Sequence, residues 1–89
     1  MEDISLIETA KALVDITIQK HKEQNLGKEN MSSFIKNNLP AGIEVNDYNS
    51  ILHLYNKYLA IEGYEIKKDI KKFDIINYNT EEYQIYVSK

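Results

Sequence analysis

Apolar residues recur every three or four positions through the first two thirds of the chain, and in the last third they alternate. From Asp3 to about Glu23 the residues Leu6, Ile7, Ala10, Leu13, Val14, Thr17, Ile18 and His21 fall on one broad face, which predicts an amphipathic helix. Ser5 and Glu8 have the spacing of a capping box, and Gly27 is the expected stop. Ile16 lies beside this stripe and would widen it. A shorter helix is predicted from about Glu29 to Asn38, on Met31, Phe34, Ile35 and Leu39, with Asn30 or the following serines as cap and Pro40 as terminator. Ile43 and Val45 flank Glu44 with the period of a short strand.

The clearest signal is the stretch from Asn46 to Gly63. Tyr48, Ile51, Leu52, Tyr55, Tyr58 and Leu59 form one face, Leu54 and Ile61 its borders, and Asn49, His53, Asn56, Lys57 and Ala60 the opposite side. Asn46 suits the N-cap and Gly63 the left-handed position that closes a helix. Beyond Gly63, Tyr64 and Ile66 alternate with charges, as do Phe73 and Ile75, and then Tyr83, Ile85 and Val87. That pattern predicts a hairpin of roughly 73–78 with 82–88, turning at 79–81. A hairpin cannot stand alone in water, so it must lie on the helices. The expected fold is therefore α+β: a single domain over 1–89, with two or three helices on a small antiparallel sheet dominated by a C-terminal hairpin.

Size and composition narrow the chemistry. A chain of 89 residues hides only about 60–65% of its unfolded surface, so the core must be thin. There is no cysteine, and two histidines alone cannot build a zinc centre, so neither a disulfide framework nor a metal site nor any other cofactor is expected. No run of apolar residues is long enough to span a bilayer and no leader pattern is present, which makes a cytoplasmic, non-membrane location the expectation. All eleven basic residues are lysine. Without arginine's planar fork, arginine-finger catalysis is excluded and strong base-specific readout is disfavoured. A net charge of −3 opposes non-specific binding to nucleic acid. Glycine-rich phosphate loops, nucleophile elbows and HExxH pairs are missing, so an enzyme is not expected.

What remains is surface. Lys67, Lys68, Lys71 and Lys72 form a dense basic cluster, which either guards a strand edge against pairing or anchors phosphate or an acidic protein surface. Seven tyrosines are in excess; Tyr48, Tyr55 and Tyr58 are assigned to the core, and Tyr78 and Tyr86 to an exposed face suited to partner contact. His21 on the apolar stripe reads as a half-buried histidine bonded to backbone or water, with pH sensing or a ligand role as the functional alternative.

The order of elements, with Ser32 to Leu39, Asn46 to Glu62 and Phe73 to Val87 in the matching places, resembles the winged helix-turn-helix arrangement. The resemblance implies that the third helix enters a DNA groove, presenting Asn49, His53, Asn56 and Lys57, and that the hairpin forms a wing. The same helix begins with Asp47 and ends with Glu62, which repel phosphate. The leading expectation is instead a non-catalytic protein-binding module. Size, acidity and AT-rich codon bias are those of small inhibitors encoded by phages and mobile elements, which block a larger host protein such as a nucleic-acid-handling enzyme, the anti-CRISPR kind included. Self-association as a homodimer is a further expectation, because so small a domain would leave a wide helix face partly uncovered.

Overall fold

The computed structural model describes residues 4–40, 43, 45–67 and 72–87, and side chains for all of these except Ile4, Val45, Glu82, Tyr86 and Val87. In chain order the elements are α1 (Ile4–Lys22), α2 (Met31–Asn38), α3 (Val45–Ile61), β1 (Tyr64–Ile66), β2 (Ile75–Asn77) and α4 (Glu81–Val87). The fold is α+β, with one two-stranded antiparallel sheet.

Helices α1 and α3 make the principal contact of the molecule. Leu6, Ala10, Leu13, Val14 and Thr17 are buried along α1, and Ile51, Leu54, Tyr55 and Leu59 along α3. The face of α3 is rotated slightly from the expected one: Leu54 is inside, whereas Tyr48, Leu52 and Tyr58 are half-buried. At the middle of the contact the Thr17 hydroxyl lies 2.7 Å from both the Leu13 carbonyl and the Tyr55 phenol. Phe34 and Ile35 of α2 close one end of this interior, and Phe73 packs its ring against Phe34 at 5.2 Å and Tyr55 at 6.5 Å.

Local chemistry explains the helix ends. Asn30 caps α2, its side-chain oxygen accepting the Ser33 amide at 2.9 Å. The end of α1 lies earlier than the glycine that was expected to terminate it. Gln24 takes the left-handed conformation (φ 59°), the Asn25 amide donates to the Lys20 carbonyl and the Gln24 amide to the His21 carbonyl. That pair of bonds is a Schellman closure, made here without glycine at its usual place. Gly27 (φ 93°) serves the following loop, where a Cβ would stand 3.2 Å from the Phe73 carbonyl oxygen. Gly63 (φ 91°) closes α3 as expected.

Two predicted strand segments are helical. Val45, expected in a short strand, opens α3, one residue before the expected cap. The hairpin is present, but its strands are β1 and β2, in the register Tyr64↔Asn77, Glu65↔Ile76, Ile66↔Ile75. Residues 81–87, expected to pair with 73–78, form α4 instead. Over seven residues, apolar positions at 83 and 87 satisfy a helical spacing as well as an alternating one, so the period alone could not separate them. The turn decides. Asn77 accepts the Asn79 amide on its side chain and both the Thr80 amide and hydroxyl on its carbonyl, which bends the chain away from the sheet and starts a helical turn at Thr80. The Tyr83 amide then donates to the Thr80 carbonyl.

Ile75 and Ile76 are both buried although their side chains point to opposite faces of the sheet. Ile75 joins the core shared with α1 and α3, while Ile76 is buried on the other face of the sheet.

Candidate functional site

Of the partner-contact residues singled out by sequence, Lys67, Lys72 and Tyr78 have described side chains. Lys67 is half-buried, its ammonium 3.5 Å from the Asp74 carboxylate and its amide donating to the Asp74 carbonyl at 3.1 Å. Lys72 is exposed. Lys68 and Lys71 lie outside the described residues, as does the side chain of Tyr86, which belongs to α4 and not to a strand. Tyr78 is half-buried, its hydroxyl donating to the Ala60 carbonyl near the end of α3. Its ring meets Tyr83 edge-on at 6.0 Å. These contacts pin α4 to the C-terminal end of α3 through two aromatic rings. No pattern in the chain marks Tyr83 for this role, because its part depends on α4.

Two large aliphatic side chains stand outward in this part of the chain: Ile61, one residue beyond the carbonyl that Tyr78 holds, is 66% exposed, and Ile85, two residues beyond Tyr83, is 58% exposed.

On α3 the polar side predicted for the helix is the solvent side: Asn49, His53, Asn56 and Lys57 are all exposed. Asp47 in its first turn and the exposed Glu62 and Glu65 just beyond its end add negative charge at both extremities. The strands that follow α3 directly are β1 and β2, in place of a pairing of 73–78 with 82–88.

His21 has a specific environment. Its Nδ1 is 3.6 Å from the Asp74 carboxylate and its ring stands edge-on to Tyr64 at 5.8 Å. Asp74 is therefore shared by Lys67 and His21, and its carboxylate also accepts the Ile75 amide at 2.8 Å. This constellation ties the end of α1 to the hairpin. Among the described residues no group of three or more histidines and acids is placed to hold a metal ion.

A cleft of about 430 Å³ opens between the start of α2, the second half of α3 and β1. Met31, Leu59 and Ile66 give it apolar walls, with Asn56 and Glu65 as its polar groups. Of the titratable groups, Tyr55 is clearly displaced: burial pushes its phenol far above the ordinary tyrosine value. It lies inside the core, away from any opening.

Compared with protein-family models, curated proteins and solved structures, the chain has no significant match. Among the described residues no helix is long and apolar enough to cross a membrane.

Proposed function

We propose that this protein is a non-catalytic binding module, a small inhibitor or regulator of phage or mobile-element origin that acts by covering part of a larger protein. The observation that supports this most is that two large aliphatic side chains, Ile61 at the end of α3 and Ile85 on α4, stand exposed. Large aliphatic groups held in solvent favour a protein partner, because covering them removes apolar surface from water. Lys72, with Lys67, Lys68 and Lys71 nearby in sequence, supplies charge to steer an acidic partner surface. A nucleic-acid-handling host enzyme, of the sort that anti-CRISPR proteins block, fits a partner of that description, in a cytoplasmic setting.

The test is affinity capture from nuclease-treated lysate of the source organism with the wild-type chain and with Ile85→Ser and Lys72→Glu. Both residues are exposed, so circular dichroism should be unchanged. A stoichiometric partner kept by the wild type and lost by at least tenfold with Ile85→Ser supports the reading. Equal recovery with all three proteins sinks it.

The second reading, a winged-helix DNA-binding regulator, is favoured by the exposure of Asn49, His53, Asn56 and Lys57 on one helix followed by a hairpin. A gel shift on the upstream DNA that survives moderate salt and disappears with Asn49→Ala and Asn56→Ala would replace the first reading with this one.

A further inference from the structure

The two edges of the β1–β2 sheet are treated differently. The Tyr78 amide bonds the Gly63 carbonyl and the Lys67 amide bonds the Asp74 carbonyl. With the observed register, these fix 63:78, 65:76 and 67:74 as the hydrogen-bonded pairs, because bonded and non-bonded pairs alternate in an antiparallel ladder. The amides and carbonyls of Tyr64 and Ile66 on β1, and of Ile75 and Asn77 on β2, must therefore point outward. On β2 they are answered: the Asp74 side chain takes the Ile75 amide, and Thr80 donates twice to the Asn77 carbonyl. On β1 nothing among the described residues bonds to the outward groups of Tyr64 and Ile66.

The 430 Å³ cleft touches Tyr64, Glu65 and Ile66 in succession. Consecutive strand residues face opposite sides of a sheet, so a cleft lined by all three runs along the strand's edge, and β2 already occupies the other edge. The row of backbone groups without a partner among the described residues thus borders an apolar channel walled by Met31 and Leu59.

Charge selects the occupant. If two copies of this chain joined their β1 edges about a two-fold axis centred on the strand, Glu65 of one would lie opposite Glu65 of the other in a non-hydrogen-bonded pair, where side chains are closest and like charges repel. Glu65 is exposed, and Glu62 adds a second exposed acid close by in the chain. The geometry points to β1 accepting, as a third antiparallel strand, an extended segment of another protein in which apolar residues alternate with lysine or arginine. Its apolar side chains lie with Tyr64 and Ile66 over the channel, and its basic ones lie beside Glu65. This is strand addition to an exposed edge, with main-chain bonds giving affinity and alternate side chains giving selectivity. It deepens the binding-module reading by naming the kind of segment bound, and rests on that reading only in taking the partner to be a protein.

The test is a titration of the full ¹⁵N-labelled chain with a capped heptapeptide of alternating valine and lysine. In the antiparallel pairing the valine amides face β1 and the lysine amides face away. Saturable shifts of the Tyr64 and Ile66 amides are expected. Affinity should fall at least tenfold when the valine amides are N-methylated and less than twofold when the lysine amides are. A valine–glutamate peptide should bind at least fivefold more weakly at low salt, and Glu65→Lys should reverse that order. Absence of saturable shifts at those two amides, equal loss from both methylation patterns, or equal binding of the two charge forms would overturn the assignment. Failure here with retained capture by the Ile85 surface would leave the binding-module reading standing, and the converse result would do the opposite.

Discussion

Thr17 has a single hydroxyl hydrogen, and its destination decides how α1 and α3 are joined. Because the Thr17 hydroxyl donates to the Leu13 carbonyl, the proton between Thr17 and Tyr55 must come from the phenol. The two partners are then unequal. Tyr55→Phe removes one bond but leaves the threonine donor satisfied, and should cost about 1 kcal/mol; Thr17→Val strands a buried phenolic O–H and should cost about 2 kcal/mol. The double variant is expected to lose less than the sum of the two, which urea denaturation of all four proteins would measure. The same phenol gives a pH prediction. Its folded value is raised, so the unfolded chain releases this proton first, as pH passes about 10, and the folded chain still holds it. Stability is untouched below that pH and then falls by about 1.4 kcal/mol per pH unit from this group alone, until the folded phenol ionises. Comparing wild type with Tyr55→Phe across that range isolates the effect from the other tyrosines and lysines, and equal slopes would refute it.

At the scale of elements, the C-terminal end of α1 holds a conformation that L-residues adopt at a cost of about 1 kcal/mol. Gln24→Gly should therefore stabilise the chain by about that amount, read as a rise in the denaturation midpoint with an unchanged slope. Helix α4 offers a second test. A chain ending at Thr80 loses the Tyr78–Tyr83 ring contact and should be less stable by about 1 kcal/mol, read as a lower urea midpoint. The elements differ in how plainly the chain announces them. Helices α1, α2 and α3 were legible because each has two or more turns of 3.6-residue periodicity and a recognisable cap or breaker at one end. Helix α4 was not, since Tyr83, Ile85 and Val87 match a strand as well as a helix and the deciding bonds lie in the Asn77–Thr80 turn. The partner of β2 was missed for the same reason. The Gln24 closure was missed because glutamine gives no sign of a left-handed backbone.

For the molecule as a whole, the candidate surfaces were only partly readable. The lysine cluster and Tyr78 stood out by composition, yet Lys67 and Tyr78 turn out to hold the fold together, through Asp74 and the Ala60 carbonyl. The exposed pair Ile61 and Ile85 and the open side of β1 depend on which elements meet, information that no single segment carries. If Glu65 is what keeps copies of β1 apart, Glu65→Thr should associate at concentrations where the wild type does not, and sedimentation velocity would show a larger species that disperses on dilution.

The interior has one more implication, for how this protein is made. Phe73 and Ile75 are buried in the same cluster as Leu13 and Tyr55, so the interior begun by α1 and α3 cannot be completed until the distal third has been translated. Nascent chains still lacking that segment would leave one side of that interior open, and a ribosome stalled before it would carry a target for chaperones and proteases instead of a working molecule.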